Sequence, residues 1–325
     1  MPNSSCTPND SNYLDSPNFL KLSLHLTSAF STPIYILGLY CILFKTPDTM
    51  KSVKWNLLTL QIWIMLFEYC ISILTVPYIL IPEFAGIPYG ILRDFEVPTS
   101  LQTIVTIYIL NCMFIFTISI FENRFYIVCQ FRGKKHWVWG RQVWMISHHI
   151  AVPLGVYPMF YLIPDQETAK IQVFQHLPCL PDYIYKEPVF VFASSFVYHI
   201  LIILFALSLF ITETSFFICK LIKNGREQRN QISKTTYQLQ KQLFFALAVQ
   251  LSIPLVTLVF PLFGGGLMTL LHYHNQAVIN CFVVVTTTHG FVATLVMIVV
   301  HRPYRLAVRA LMMNRRVETT VKTNN

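Results

Sequence analysis

Seven long apolar stretches constrain this chain more than any other feature. A helix of about 20 mostly apolar residues crosses the hydrocarbon core of a bilayer. Such segments run over 22–44, 53–81, 98–121, 142–163, 188–219, 243–263 and 276–300. The third is the clearest, because no Asp, Glu, Lys or Arg interrupts 97–121. Only 12% of the 325 residues are charged, against about 25% in an average soluble protein. A soluble domain so poor in charge would have difficulty covering its surface, whereas lipid covers a polytopic membrane protein. The pattern predicts an all-α integral membrane protein built as a seven-transmembrane helix bundle over 22–301. A polar tail, 1–21, precedes the bundle and a second tail, 302–325, follows it.

The first eighteen residues lack a basic region followed by a short apolar core, so the first span is expected to target and anchor the chain. Pro33, Pro77, Pro153, Pro158 and Pro254 fall inside the predicted spans. Membrane bundles tolerate such prolines because neighbouring groups satisfy the freed carbonyls.

Orientation follows from lysine and arginine. The connections after spans one (counted through Lys54), three and five, with the C-terminal tail, hold 20 of the 24 basic residues. The other four are Lys21, Arg93, Lys170 and Lys186, all on the opposite side. This asymmetry predicts an N-terminus outside and a C-terminus in the cytoplasm, which an odd number of spans requires. The net charge of +9 is thus topological, and no basic, aromatic-interleaved domain suggests nucleic acid. Two Asn-x-Ser/Thr sequons, at Asn3 and Asn9, lie in the outside tail, where glycosylation can occur. After span seven, Arg302, Arg305 and Arg309 recur at helical spacing, with Leu306, Ala310 and Met313 on another face. That pattern predicts a short amphipathic helix lying on an anionic cytoplasmic leaflet.

The eight cysteines form no C-x-x-C pair, so neither zinc nor a dithiol centre is indicated. Cys6 and Cys179 alone fall in outside segments, and the expectation is a disulfide between them. His148–His149 and His272–His274 lack the spacing of a zinc protease helix, and Gly264–Gly266 lacks the Lys-Ser/Thr of a phosphate loop. No cofactor or catalytic set is expected. Glu68 and Glu213 are the acids inside spans, and an intramembrane carboxylate is a functional candidate by default. Glu68 has Ser72 one turn away, which suggests an internal polar cluster shifting between two bundle states.

Seven spans, short loops and a terminal amphipathic helix resemble the G-protein-coupled receptor architecture. Five segments narrow this to the nematode serpentine chemoreceptors of class H: YCILFKTPDTMKSVKWNLL (40–58), SILTVPYILIPEFAGIPYGIL (72–92), FENRFYIV (121–128), LPCLP (177–181) and HRPYR (301–305). The resemblance implies a receptor in a chemosensory plasma membrane, in sensory cilia, that detects a small molecule and engages a heterotrimeric G protein. Where the family usually carries an aspartate in span two, this chain has Glu68. The Asn-Pro-x-x-Tyr and Cys-Trp-x-Pro motifs of the rhodopsin-like class are missing, so switch residues cannot be carried over from it.

Within that frame, Tyr108 and Asn111 of span three, Ser195 and Tyr198 of span five and Asn280 of span seven are candidates to line a ligand cavity. Pro254 is the candidate kink in span six about which a cytoplasmic cleft would open. Glu122 and Arg124 are the candidate coupling pair, together with Glu68. At two residues apart they lie about 200° around a helix and address different partners, one a neighbour on span two or six and the other the cytoplasmic cleft. A non-sensory peptide or neuromodulator receptor would share this design, and a transporter or channel remains the other class.

Overall fold

The computed structural model describes residues 12–48, 51–129, 131, 133–227, 238, 245 and 248–313. Asn3, Cys6, Asn9 and Arg132 lie outside the described residues, as does most of the long connection after the fifth span.

Helix α1, Pro17–Phe44, begins where the Ser16 hydroxyl accepts a hydrogen bond from the Phe19 N–H at 3.1 Å, with Pro17 preset for the first turn. Helix α2, Lys51–Tyr69, runs into a π turn, Cys70–Thr75, and ends at Val76, whose φ of 41° is left-handed. Strands β1, Pro77–Leu80, and β2, Phe84–Pro88, follow as an antiparallel hairpin. Helix α3, Thr99–Val128, and helix α4, Lys134–Tyr161, come next, and α4 turns by 87° into α5, Gln166–His176. Strand β3, Phe190–Ala193, joins β2 to complete a three-stranded antiparallel sheet. The chain closes with α6, Val197–Glu227, α7, Ala248–Leu270, α8, Gln276–Val300, and α9, Arg302–Met312.

Six of these helices are long and apolar enough to cross a membrane, or up to seven with α4 and α5 taken as one bent span. The fold is the all-α serpentine bundle, with two departures from the sequence reading. Span two does not continue to residue 81, and span five does not start at residue 188, because both ends are strand. Pro77 and Pro188 lack the N–H that a continuing helix needs, and the chain beside each pairs along a sheet edge instead. Gly90 brings β2 back against α2: its N–H donates to the Thr75 carbonyl at 2.9 Å, and any side chain there would collide with Leu74 and Thr75 backbone.

Helix α1 packs on α8 and α2, α2 on α3, and α3 on α4 and α6. One apolar cluster, with Leu24, Tyr78, Leu80 and Ile87, lies under the sheet. A second, with Ile42, Phe121, Phe217 and Tyr304, holds the opposite end, where the basic residues gather. Phe30, Ile36, Ile150, Leu204 and Phe205 remain exposed on the outside of the bundle, the surface that a bilayer covers. In α9 the packed face is Tyr304 and Ala307, while Leu306 and Met313 stay exposed.

Candidate functional site

The polar groups gather at three levels of the bundle. At the sheet end they build a lid. Asn280, fully buried on α8, donates through Nδ2 to the Leu14 carbonyl at 2.8 Å and accepts from Gln276 Nε2 at 2.9 Å. Tyr78 of β1 donates to the Asp15 carbonyl at 2.8 Å, so the segment before α1 is pinned to both α8 and the sheet. Gln166 at the start of α5 makes two bonds to Val191 of β3, at 3.0 and 2.9 Å. Arg93 and Glu187 close the lid with an ion pair at 2.8 Å. Cys179, between α5 and β3, is disulfide-bonded.

The candidate ligand-lining residues do not converge beneath this lid. Asn280 is spent on the N-terminal segment. Ser195 lies exposed in the link between β3 and α6, ahead of the helix rather than inside a span. The reason is again local, since 190–193 pairs as strand and the helix starts only at Val197. Tyr198 donates to the Gly155 carbonyl at 3.1 Å and ties α6 to α4. Asn111 bonds back to its own helix at Ile107, and Tyr108 meets Trp63 edge-on at 6.3 Å.

Midway through the bundle, Glu68 is 1% exposed and accepts a hydrogen bond from Tyr35 Oη of α1. Its second oxygen, Oε1, has no partner among the described residues. Ser72 bonds to the Glu68 carbonyl at 2.6 Å and to Ser28 of α1. Gly290 of α8 faces the pair so closely that a Cβ would overlap Tyr35 Oη and Glu68 Oε2. One helical layer further, Gln61 bonds Thr294 at 2.8 Å, and Thr257 bonds His289 at 2.8 Å. A cavity of about 60 Å³ lies here, lined by Gln61, Thr117, Gln250, Pro254 and His289. It has room for a few waters, not for a ligand of drug size, which needs at least about 300 Å³. Pro254 opens a π turn, Leu255–Val259, beside that cavity.

At the basic end, Glu122 is 1% exposed and bound from α4. Arg141 Nη2 reaches its Oε2 at 2.6 Å and Trp137 Nε1 donates to its Oε1 at 2.8 Å. Arg141 also donates to Asn123 Oδ1 at 3.1 Å and stacks over Tyr126, 4.8 Å from the ring centre. The partners of Glu122 are thus on the fourth span, whereas the expectation was that one of the two side chains would find a neighbour on span two or six. Nothing in the sequence marks Arg141 apart from other basic flank residues. Arg124 has no acid partner among the described residues, and its Nε is buried without a hydrogen bond. Its charge is felt by His301 and Tyr304, at the junction of α8 and α9. Burial first, and Arg124 second, hold the His301 imidazole down at about 4. Tyr304 bonds Thr46 at 2.8 Å, and Gln250 of α7 meets His301 at 3.3 Å. Also at the basic end, Phe125, Phe131, Trp137, Phe216, Lys220, Lys223 and Glu227 line a groove of about 390 Å³ among α3, α4 and α6.

Sequence reasoning marked Glu213 as an intramembrane acid and set His148 aside as no zinc ligand, without joining them, yet the two pair at 3.1 Å between α6 and α4. The signal was two charge-capable residues on separate spans, and only packing reveals that they meet.

A sequence model of the family described as "Serpentine type 7TM GPCR chemoreceptor Srh" matches residues 15–314. The chain is also similar to Serpentine receptor class H-72 of Caenorhabditis elegans, 27% identical over 307 residues, covering 94% of this chain and 88% of that protein. The apolar helices, the bundle topology and a match over nearly the whole chain agree: this multi-pass membrane protein belongs to the Srh family of serpentine seven-transmembrane chemoreceptors.

Proposed function

We propose that this chain is a chemosensory receptor that binds an extracellular small molecule at the sheet end and signals to a heterotrimeric G protein at the basic end. In this reading the N-terminal tail, 1–21, is outside, glycosylated at Asn3 and Asn9 and tied by Cys6 to Cys179. The receptor core is 22–301, and the tail 302–325 lies in the cytoplasm of a sensory cell, at its plasma membrane and cilium.

The observation that carries the proposal is Arg124. Its guanidinium sits at the basic end of α3 without an acid partner among the described residues, with a buried Nε unsatisfied. A buried donor left unpaired costs about 1–3 kcal/mol, which a partner's carbonyl or carboxylate would recover. A groove of about 390 Å³ at the same end has an apolar floor of Phe125, Phe131 and Phe216 and a mixed polar rim of Lys220, Lys223, Asn224 and Glu227, a fitting cleft for a helical protein segment. Ligand binding drives such a change only through different affinity for two bundle states. The π turn after Pro254 and the small polar cavity beside it are where α7 can bend. The test is ligand screening in cells with a G-protein or calcium readout, using Arg124→Ala as control. The variant should reach the surface and fail to couple; normal ligand-driven activation by it would refute the role.

A further inference from the structure

On the reading of this chain as a small-molecule receptor, we infer that His199 is the polar anchor of the ligand site, in an aromatic and apolar cage formed by α3, α4, α6 and the sheet. The ligand it fits is a small, mostly apolar molecule with one hydrogen-bonding group.

His199 is 1% exposed, in the first turn of α6. Its ring is held between Phe84 of β2 and Phe192 of β3, with centroids 5.5 and 5.1 Å away. Beyond those rings, Val156 and Met159 of α4 and Ile104 of α3 complete an apolar cluster with Phe84 and Phe192. Neither Nδ1 nor Nε2 has a hydrogen-bond partner among the described residues. The Ser195 carbonyl, one turn earlier, is close to the ring but outside hydrogen-bonding geometry.

Buried polar groups in folded proteins are overwhelmingly paired, so an imidazole with both nitrogens unsatisfied in an aromatic cage is an exception that needs a reason. Neutral imidazole offers one donor and one acceptor, which meet a carbonyl, a hydroxyl or a protonated carboxyl equally well. The cage supplies apolar area and the ring supplies orientation, which is the composition of a small-molecule site. The position matters as well. The rings that cover His199 belong to strands, so displacing Phe84 or Phe192 would move the lid, and the lid is bonded to α5, α8 and the segment before α1. The residues expected to line a ligand site are occupied, Asn280 by Leu14, Tyr198 by Gly155 and Asn111 by Ile107. Tyr89 Oη, Gln102 Oε1 and Gln276 Oε1 also lack partners among the described residues, but each is a single atom, whereas His199 has both ring nitrogens unpaired.

The test uses the full chain purified into nanodiscs and four probes of one chain length: octane, 1-octanol, octan-2-one and octanoic acid. Binding is read as a rise in melting temperature, which needs no G protein. The wild type should bind at least one polar probe about tenfold or more tightly than octane, since a site built around a hydrogen-bonding group rejects the analogue lacking it. His199→Phe fills the cage without a polar atom and should fold at least as well, yet bind octane and the polar probes alike. His199→Gln, which keeps a donor and an acceptor, should retain part of the preference. Equal binding of octane and the polar probes by the wild type means that a buried water satisfies His199, and overturns the inference. So does an unchanged preference in His199→Phe, or no binding of any polar probe. Probe binding that depends on His199 but never activates a G protein would instead sink the signalling proposal and leave the site standing.

Discussion

Glu122 and Arg124 lie two residues apart on α3 and never meet. Glu122 is clamped by Arg141 at 2.6 Å and by the Trp137 indole at 2.8 Å, both from α4. Arg124 faces the other way, toward Tyr304 and His301 where α8 passes into α9. Side chains at that spacing project from nearly opposite sides of a helix, so the acid can lock α3 to α4 while the base stays available to a partner.

The first prediction follows from that clamp. Removing one member of a buried ion pair leaves an uncompensated charge and costs about 3–5 kcal/mol. Arg141→Ala, which strands the fully buried Glu122 carboxylate, should therefore lower the melting temperature of the detergent-purified receptor more than Glu122→Gln, which leaves only the quarter-exposed Arg141 guanidinium to turn toward solvent. The double variant should be more stable than the sum of the two losses predicts. Strict additivity in that cycle would mean that the pair contributes nothing to holding α3 on α4.

A second prediction concerns the contact of Gly290 with Tyr35 and Glu68. No Cβ fits at Gly290 without displacing the Tyr35 hydroxyl from the carboxylate. Gly290→Ala should cost about 1–3 kcal/mol through overpacking. Tyr35→Phe deletes the atom in the way, so the pair of changes should be less harmful than Gly290→Ala alone. Glu68→Gln should fold nearly normally, because it keeps the shape and removes the charge, and should alter signalling if the cluster switches. Melting curves and the cellular readout separate the two effects. An unchanged response in Glu68→Gln would leave the cluster as packing only.

Much of the bundle was legible in the sequence because its signal is one-dimensional: long apolar runs and a lopsided distribution of lysine and arginine report spans residue by residue. The sheet was not. The run from Ser72 to Ile81 is apolar enough to read as the end of a span, and pairing between β2 and a strand about a hundred residues later leaves no local mark. The same limit applies to the polar groups. Glu68 and Glu122 stood out as acids near or within membrane segments, but their partners, Tyr35 and Arg141, are ordinary residue types whose role exists only through helix packing. His199 carried no signal at all, since a histidine among phenylalanines becomes informative only when both nitrogens prove to be unpaired.

The third prediction is a pH dependence at the basic end. His301 is held at about 4, chiefly by burial and secondarily by Arg124, against 6.5 for a free histidine. The folded state therefore favours the neutral ring, and stability should be full above about pH 6.5 and fall as the pH drops toward about 4. At about pH 5 the loss attributable to this one group is about 2 kcal/mol, taking about 1.36 kcal/mol per unit. His301→Gln, facing Gln250 and Tyr304 without a titrating ring, should flatten melting temperature against pH in that window. Arg124→Leu should make the fall smaller and end it at a higher pH, because without the repelling charge the folded-state pKa of His301 rises toward the free value while the onset near about pH 6.5 is unchanged. A wild-type curve flat from about pH 7 to about pH 4 would rule out a neutral, buried His301.

The last prediction separates a latch from a ligand contact at Asn280. Its Nδ2 holds the Leu14 carbonyl at 2.8 Å, and Tyr78 holds the next carbonyl, that of Asp15, at 2.8 Å. Asn280→Ala strands a buried carbonyl and the Gln276 amide that now bonds Asn280 Oδ1, a cost of about 1–3 kcal/mol. Backbone amides of the 12–16 segment should then exchange with deuterium faster, and Tyr78→Phe should produce the same acceleration through the second anchor. A ligand-contact role makes the opposite forecast: weaker probe binding, with exchange in 12–16 unchanged. Since both anchors act on consecutive carbonyls, the double variant should release the segment far more than either single change, as expected when two bonds hold one short piece of chain.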